Sequence, residues 1–360
     1  MTAGLTPDPA PDATRRFTLD PAPVPVMTVR GLTTVFRSAH GTVRAVDDVS
    51  IDLRAGEILG IVGESGSGKS MFTRSVIRLL PVGAETTAGE VVYDGQDLLA
   101  IPQSRMHRIR GREIASIFQD PIAALNPVYT VGRQLAEAIT SHNSRSRVET
   151  RELAVRALAD VGIPSPARRL GDFPHQFSGG MAQRVVVAIA LASDPRILLA
   201  DEPTTALDVT TQHQILMLLL RIQRERQMTV LLVSHSLGVI AQLSDRVAVM
   251  YAGQILELAD TRTLLSSPRH PYTVGLLGCV PDAAETRPRR LVSIPGSAPD
   301  LSRLPDGCRF APRCPLAIDA CTSGEVPLIQ VGPSHEARCI RTDEVARRDT
   351  LFSTAVERDD

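Results

Sequence analysis

Short apolar segments recur along the chain from about residue 27, and their patterns predict two kinds of β-strand. The segments "TVRGLTTVF" (28–36) and "VRAVDDVSIDL" (43–53) alternate apolar and polar residues, as half-buried antiparallel strands do. The segments "EILGIVG" (57–63) and "RILLAD" (196–201) are instead continuously apolar and end in a polar residue or a glycine. They predict strands buried on both faces of a parallel sheet, with functional groups at their carboxyl ends.

Helical patterns dominate between about residues 120 and 178. Leu153, Ala157, Leu158 and Val161 fall on one helical face, and the following Gly-Ile-Pro is a helix stop signal. We therefore expect a helical subdomain inserted between core strands.

Strand patterns resume in "MTVLLVSH" (228–235) and "DRVAVMYAGQILE" (245–257), each of which predicts one strand. Together the patterns predict an α/β fold. We expect a main domain over 26–280, with the helical subdomain at about 120–178, followed by a small Cys-rich domain over 281–345 and a tail over 346–360. The Pro- and Ala-rich residues 1–25 predict a disordered arm that is not a signal peptide.

The composition indicates a soluble globular protein. The chain has 360 residues, 43% of them hydrophobic and 22% charged, and its formal net charge is −1. The longest apolar runs are shorter than the roughly 20 residues that cross a bilayer. The basic run "SRMHRIRGRE" (104–113) has no interleaved aromatic residues, so we expect a solvated face and no nucleic-acid partner.

The chain contains a single lysine, Lys69, within "GESGSGKS" (63–70). This stretch fits the pattern G-x-x-x-x-G-K-[ST] between a predicted buried strand and a predicted helix. Backbone N–H groups and the helix N-terminus would hold phosphates, the lysine would reach the β- and γ-phosphates of a nucleotide, and Ser70 would bind Mg²⁺. The predicted phosphate-binding residues are Gly63, Glu64, Ser65, Gly66, Ser67, Gly68, Lys69 and Ser70.

Two adjacent carboxylates follow the apolar run at 197–200. Side chains alternate along a strand, so Asp201 and Glu202 must have different roles. We expect Asp201 in the Mg²⁺ shell and Glu202 as the group that orients and deprotonates the attacking water.

Four further motifs complete an ordered set: "FQDP" (118–121), "FSGGMAQR" (177–184), "TALD" (205–208) and "SH" (234–235). With the two motifs above, residues 27–270 resemble the ATPase subunits of ABC transporters. The resemblance implies a P-loop NTPase fold of the ABC type, with an antiparallel β subdomain and a helical subdomain. It also implies ATP and Mg²⁺ as ligands and a second ATPase subunit as partner.

The resemblance assigns roles to individual residues. It places Gln119 at the Mg²⁺ and water site and makes His235 a contact to the γ-phosphate. Asp208 corresponds to the dimer-interface loop. The residues expected to meet ATP on the partner subunit are Ser178, Gly179, Gly180 and Gln183, and those added to the chain's own ATP site are Met71 and His40.

Two positions depart from the family pattern. Ser236 stands where close relatives usually have an acidic residue after the histidine. His40 stands where the family has an aromatic residue that stacks on adenine, with Phe36 nearby. An imidazole can still stack on a base, so we expect an active site with weaker affinity for adenine.

Two C-terminal segments are distinctive: "HPYTVGLLGCVP" (270–281) and "IPGSAPDLSRLPDGCRFAPRCPLAIDACTSGEVPLIQVGPSHEARCI" (294–340). They resemble the extension of oligopeptide and dipeptide importer ATPases, a group that also includes nickel importers. The resemblance implies two permease subunits and an extracytoplasmic solute-binding protein as partners. It places the chain at the cytoplasmic face of the inner membrane. A nickel or other small-solute importer is an open alternative, as is a soluble ABC ATPase without a transport role.

Four of the five cysteines lie in this extension, at positions 308, 314, 321 and 339. Because disulfides are disfavoured in the cytoplasm, four clustered thiols suggest a metal. The tight Cys pair typical of structural zinc is absent, which favours an iron–sulfur cluster, and zinc or unmetallated thiols remain alternatives. The resemblance implies a [4Fe–4S] cluster on Cys308, Cys314, Cys321 and Cys339. The fifth cysteine, Cys279, lies in an apolar segment and is predicted to be buried.

Overall fold

The computed structural model describes residues 24–38, 41–142, 144–205, 207–279, 294–347 and 351–352. The predicted N-terminal arm and C-terminal tail lie almost entirely outside these residues. The described strands are β1 Pro25–Ser38, β2 Gly41–Arg54, β3 Ile58–Val62, β4 Ala84–Tyr93, β5 Gln96–Asp97, β6 Ile114–Ile117, β7 Ile197–Asp201, β8 Thr229–Ser234, β9 Arg246–Tyr251, β10 Gln254–Asp260, β11 Ile329–Gly332 and β12 His335–Ala337.

The helices connect these strands and cover the sheets. The described α-helices are α1 Lys69–Val76, α2 Gln103–Ile109, α3 Pro121–Ala124, α4 Val131–Thr140, α5 Arg147–Asp160, α6 Pro166–Arg169, α7 Gly179–Leu191, α8 Val209–Arg226, α9 Leu237–Leu243, α10 Thr261–Ser266, α11 Pro271–Gly278 and α12 Thr342–Ala346. No helix among the described residues is both long and apolar enough to span a bilayer.

A four-stranded antiparallel sheet has the order β2-β1-β4-β5. It confirms the antiparallel strands predicted from alternation in the segments 28–36 and 43–53. The apolar residues on one face, including Val29, Leu32 and Val46, are fully buried. They pack in one core cluster with Leu59 and Ile61 of β3, so this sheet is fixed against the larger one.

The larger sheet has eight strands in the order β11-β12-β10-β9-β3-β8-β7-β6. Strands β9, β3, β8, β7 and β6 run parallel, which confirms the parallel sheet predicted from the continuous apolar runs of β3 and β7. Every residue of β3, β7 and β8 is buried. The carboxyl ends of these parallel strands therefore meet at one edge, where functional side chains can converge.

The segment 245–257 is two strands rather than the single strand predicted. Strands β9 and β10 pair antiparallel and are joined at Ala252 and Gly253, whose φ angles are 47° and 85°. Two consecutive positive φ values are those of a type I′ turn, which matches the twist of a hairpin. The sequence pattern missed this turn because its first residue is alanine, which rarely adopts a positive φ.

Four described helices, α3 to α6, lie between β6 and α7, in the part of the chain where helical patterns dominate the sequence. Leu158 of α5 is fully buried, Leu153 and Ala157 are partly buried, and Val161 caps the helix before Gly162. The helix predicted after the phosphate loop also forms, but α1 ends at Val76.

The C-terminal segment continues the large sheet. Strand β12 pairs with β10, and β11 pairs with β12. Phe310 and Leu316 belong to the same buried cluster as the core of the main domain. A buried ion pair between Arg309 and Asp47 of β2 adds a polar contact, so residues 294–347 are packed directly on the α/β core.

Candidate active site

The loop 63–70 joins the end of β3 to the start of α1, as the sequence predicts. Its glycines are required by close packing: a Cβ on Gly63 would collide with the Met250 carbonyl, and one on Gly68 with the Ala45 carbonyl. Gly68 also has a φ of 103°, which other residues rarely adopt. A glycine-rich loop that ends at a helix N-terminus favours anions, because its N–H groups and the helix dipole are both positive.

Lys69 is 4% exposed and lies within this loop. Its Nζ donates hydrogen bonds to the Gly63 carbonyl at 2.8 Å, the Glu64 carbonyl at 2.9 Å and the Ser67 hydroxyl at 3.3 Å. Burial lowers the pKa of Lys69, while the nearby carboxylates, Glu202 foremost, oppose that shift. All three ammonium donors are therefore held by the loop itself.

Ser70 and Asp201 come together from α1 and the end of β7. The Ser70 hydroxyl donates to Asp201 Oδ1 at 2.8 Å. Burial raises the pKa of Asp201, and the hydrogen bond from Ser70 counteracts part of that rise. Mg²⁺ in nucleotide sites takes one or two protein oxygens and completes its shell with phosphate and water oxygens, so this pair fits the ion. The neighbouring Met71 packs against the buried core.

The Glu202 carboxylate is the meeting point of three adjacent strand ends. Its Oε2 accepts a hydrogen bond from Gln119 Nε2 at 3.1 Å and lies 3.4 Å from His235 Nδ1. Gln119 follows β6, Glu202 follows β7 and His235 follows β8. The structure thus brings together the three residues predicted for water activation and phosphate contact, beside the Ser70–Asp201 pair.

Thr205 and Ser236 have roles in this region that the sequence did not predict. Thr205 donates its hydroxyl hydrogen bond to Glu202 Oε2 at 2.8 Å, and so helps to hold the carboxylate. Ser236, which departs from the family pattern, is the N-cap of α9 and accepts from the Val239 N–H. The serine therefore begins the helix that follows His235, which a cap-residue signal in the sequence could have indicated.

The Ser-Gly-Gly motif lies at the start of α7. Ser178 caps this helix, and Ser178 and Gly179 are exposed. A Cβ on Gly180 would lie 2.5 Å from Thr211 Cγ2, so close packing against α8 requires glycine there. The exposed helix N-terminus can accept an anion from outside the chain.

Gln183 and Asp208 have local roles that the sequence did not indicate. Gln183 is 1% exposed and donates to the Pro203 carbonyl at 2.6 Å, so the predicted contact to a partner's nucleotide conflicts with its buried position. It links α7 to the segment that follows Glu202. Asp208 is exposed, caps α8 and accepts from Thr211, whose hydrogen bonds lower the pKa of the aspartate.

His40, the predicted adenine contact, lies outside the described residues. Phe36 is described and lies in β1. The base-binding part of the predicted site therefore stays a prediction.

The four cysteines of the extension converge although they lie far apart in sequence. Cys308, Cys314, Cys321 and Cys339 line one cavity of about 10 Å³, room for roughly one water molecule. Burial raises the pKa of Cys314 to about 11 and that of Cys339 to about 12, so these thiols are protonated near neutral pH. Cys279 is exposed and lies outside this cavity, so the prediction that it is buried was wrong.

His270 is a buried residue that also lines this cavity. The residue is 1% exposed, and its Nδ1 accepts a hydrogen bond from the Tyr272 N–H at 3.0 Å. In the neutral ring Nε2 therefore carries the proton, and this donor has no partner among the described residues. A buried donor without a partner costs stability.

The cavity is too small for an iron–sulfur cluster at its present size, although four thiols line it. No group of three or more His, Cys, Asp or Glu side chains among the described residues is placed to hold a metal ion, so neither a zinc site nor a cluster site is preformed. Four thiols are nevertheless the ligand set that a sulfide-bridged iron cluster uses. Because the space holds about one water, the thiols must move apart to admit it.

The comparisons with known proteins agree with this geometry. Residues 46–205 match the ABC transporter family model, and residues 256–321 match that of the oligopeptide/dipeptide transporter C-terminal region. A Brucella melitensis protein named as a peptide import ATP-binding protein is 48% identical over 89% of this chain and 98% of its own length. A Sinorhizobium fredii protein named as a peptide ABC transporter ATP-binding protein is 47% identical over 89% of this chain and 96% of its own length.

The solved structures lead to the same family. A dimeric ATP-binding cassette in a post-hydrolysis state with ADP and Pi has a TM-score of 0.59 and 28% identity, covering 66% of this chain and 99% of that one. A dimeric bacterial ABC transporter cassette has a TM-score of 0.59 and 29% identity, and it also covers 66% of this chain and 99% of that one. The phosphate loop, the Glu202 site and these matches together show that the chain belongs to the ATP-hydrolysing ABC transporter proteins that carry the oligopeptide/dipeptide C-terminal region.

Proposed function

We propose that this chain powers the import of di- and oligopeptides by hydrolysing ATP. The observation that carries the proposal is the match to the oligopeptide/dipeptide C-terminal region, in a chain where Gln119 and His235 both lie beside the Glu202 carboxylate. One relative is named as a peptide import ATP-binding protein and another as a peptide ABC transporter ATP-binding protein, and both match over nearly their whole length, so the same transport role is the simplest account.

Each residue of the site has one task in the reaction of ATP with water to give ADP and phosphate. Lys69 and the loop N–H groups bind the phosphates, and Ser70, Asp201 and Gln119 supply oxygens for Mg²⁺, an ion that neutralises phosphate charge. Glu202 orients the water and accepts its proton, while Gln119 and Thr205 hold the carboxylate by hydrogen bonds. His235 lies beside Glu202 and contacts the γ-phosphate.

The Ser-Gly-Gly end of α7 acts on a second ATPase subunit. Ser178, Gly179 and Gly180 do not contact the ATP bound to their own chain. They bind the γ-phosphate of the ATP that the partner subunit holds. Asp208 lies on the same exposed surface region, next to Thr211, which packs on Gly180. Closure of the two subunits around ATP would drive the permeases, and reopening after hydrolysis would reset them.

We further propose the remaining partners and the location. The helical subdomain would dock on two permease subunits at the cytoplasmic face of the inner membrane, and an extracytoplasmic binding protein would deliver the peptide. Residues 294–347 would serve as an accessory C-terminal domain of the subunit.

Peptide uptake tests this function. In a strain that lacks the gene, uptake of a radiolabelled dipeptide should be restored by the wild-type chain and remain at the deletion level with Glu202→Gln, because that variant cannot complete the cycle. Nickel uptake by the same cells is the control and should not change. Loss of nickel uptake with normal peptide uptake would instead support the nickel importer, and copurification with ribosomes or DNA in place of permeases would support a soluble ABC ATPase.

We also propose that Cys308, Cys314, Cys321 and Cys339 hold a [4Fe–4S] cluster. The support is the convergence of the four thiols on one cavity. When bound, the cluster would act as a covalent cross-link of a Pro- and Gly-rich segment.

Metal analysis tests the cluster proposal. The anaerobically purified protein should be brown and contain about four iron atoms per chain. Cys308→Ser should remove the colour and the iron, because the variant lacks one ligand. Cys279→Ser is the matched control and should keep both, since Cys279 lies outside the cavity. Zinc in place of iron, or a metal-free wild-type protein, would contradict the proposal.

A further inference from the structure

Glu64, the first variable residue of the phosphate loop, is held at three points. Its N–H donates to the Tyr272 hydroxyl at 2.9 Å, and its carbonyl accepts from Lys69 Nζ at 2.9 Å. Its carboxylate forms a two-pronged ion pair with Arg313, with Nη1 to Oε2 at 2.8 Å and Nη2 to Oε1 at 3.1 Å. Two of these three contacts come from the C-terminal part of the chain, more than 200 residues away in sequence.

Arg313 is fixed by contacts that do not involve the phosphate loop. Its side chain is 8% exposed, and its Nε donates to the Pro295 carbonyl at 2.8 Å. The guanidinium carbon lies 5.8 Å from the Tyr251 ring centre and 5.9 Å from that of Phe310. The guanidinium is therefore preorganised, and a planar fork of this kind matches a carboxylate at two atoms.

A carboxylate in a phosphate-binding loop is electrostatically unfavourable, because the polyphosphate of ATP is also negative. Lys69 donates to the Glu64 carbonyl, whereas the cation paired with the Glu64 carboxylate is Arg313. We propose that Arg313 is a positioning residue for ATP binding, which neutralises the Glu64 carboxylate and holds the start of the phosphate loop in the shape that receives the phosphates. This proposal rests on the ATP site alone and is independent of the transported solute and of the cluster.

The C-terminal region thereby contributes to the ATP site. The segments that carry Arg313 and Tyr272 also supply Cys314 and His270 to the four-cysteine cavity. Neither Arg313 nor Tyr272 belongs to the six motifs of the ATPase core, so a motif search of residues 27–270 would not find this contact.

A double-mutant cycle on the full-length chain tests the proposal, with the affinity for Mg²⁺–ATP measured by calorimetry and hydrolysis measured at steady state. Arg313→Gln should raise the Kd and the KM for ATP about tenfold and leave kcat within about twofold, because the lost interaction acts on binding and touches no reacting atom. Adding Glu64→Gln to the Arg313→Gln protein should bring the Kd and the KM for ATP back to within about threefold of the wild type, because it removes the unpaired carboxylate.

Two further variants separate this role from packing. Arg303→Gln removes an exposed arginine of the same segment and should change neither constant. Arg313→Lys keeps the charge on a smaller head group. On a logarithmic scale, its Kd and KM for ATP should rise by no more than half as much as those of Arg313→Gln. An unchanged KM in Arg313→Gln, a double variant no better than Arg313→Gln, or a lysine variant no better than the glutamine variant would overturn the proposal.

Discussion

Lys69→Arg should abolish ATP hydrolysis, although the substitution keeps the positive charge. Lys69 is the single lysine of the chain, and all other Lys or Arg positions are arginine. The ammonium is 4% exposed and donates to three oxygen atoms of its own loop within 3.3 Å. A guanidinium is planar, wider and forked, so it cannot place its donors on these three oxygens from the same stem. Loss of a preorganised donor to phosphate oxygens costs about 10²–10³-fold in rate, and the misfit of the larger head group adds to that loss.

The measurement is kcat/KM for ATP, with ATP affinity determined in parallel. The reverse substitution Arg224→Lys on the exposed end of α8 is the matched control and should leave both values unchanged. A Lys69→Arg protein that hydrolyses ATP at the wild-type rate would refute the role assigned to the lysine.

Glu202→Gln should bind ATP normally and lose about 10²–10⁴-fold in turnover, the usual contribution of a positioned general base. Glutamine is almost isosteric and keeps an oxygen that can accept from Thr205 and Gln119, so the site should keep its shape. What it lacks is the basicity to take a proton from water. His235, 3.4 Å from the carboxylate, also loses a charged partner.

Single-turnover hydrolysis with saturating ATP isolates this step from nucleotide binding. Thr205→Val is an informative companion, because it removes one hydrogen bond to the carboxylate and leaves the charge in place. We expect a smaller loss in this variant than in Glu202→Gln. Equal rates for wild type and Glu202→Gln would show that another group activates the water.

The nucleotide site could be predicted from sequence because its parts are local. The phosphate loop and the acidic pair each depend on a strand, a turn and a few adjacent residues, and the parallel sheet then brings strand ends to one edge. Gln119, Glu202 and His235 meet for this reason. Sequence alone gave their order along the chain, and the resemblance to ABC ATPases gave their roles.

The contacts that could not be predicted are those between distant segments. The Arg313–Glu64 pair joins residues 249 apart, and nothing in the local pattern around either residue specifies the other. Gln183 looked like part of an exposed motif, but its position on the inner face of α7 buries it. The hairpin between β9 and β10 was missed because alanine occupies a turn position with a φ of 47°.

We propose that two ATPase subunits close around ATP and that Glu202 then activates the water that hydrolyses it. The most direct measurement is the mass and the nucleotide content of Glu202→Gln protein, combined with its ATPase partner, after incubation with ATP and Mg²⁺. We predict a stable dimer that contains ATP and no ADP, whereas the wild-type protein returns to monomers and releases ADP. A Glu202→Gln protein that stays monomeric with ATP, or that contains ADP, would contradict the claim.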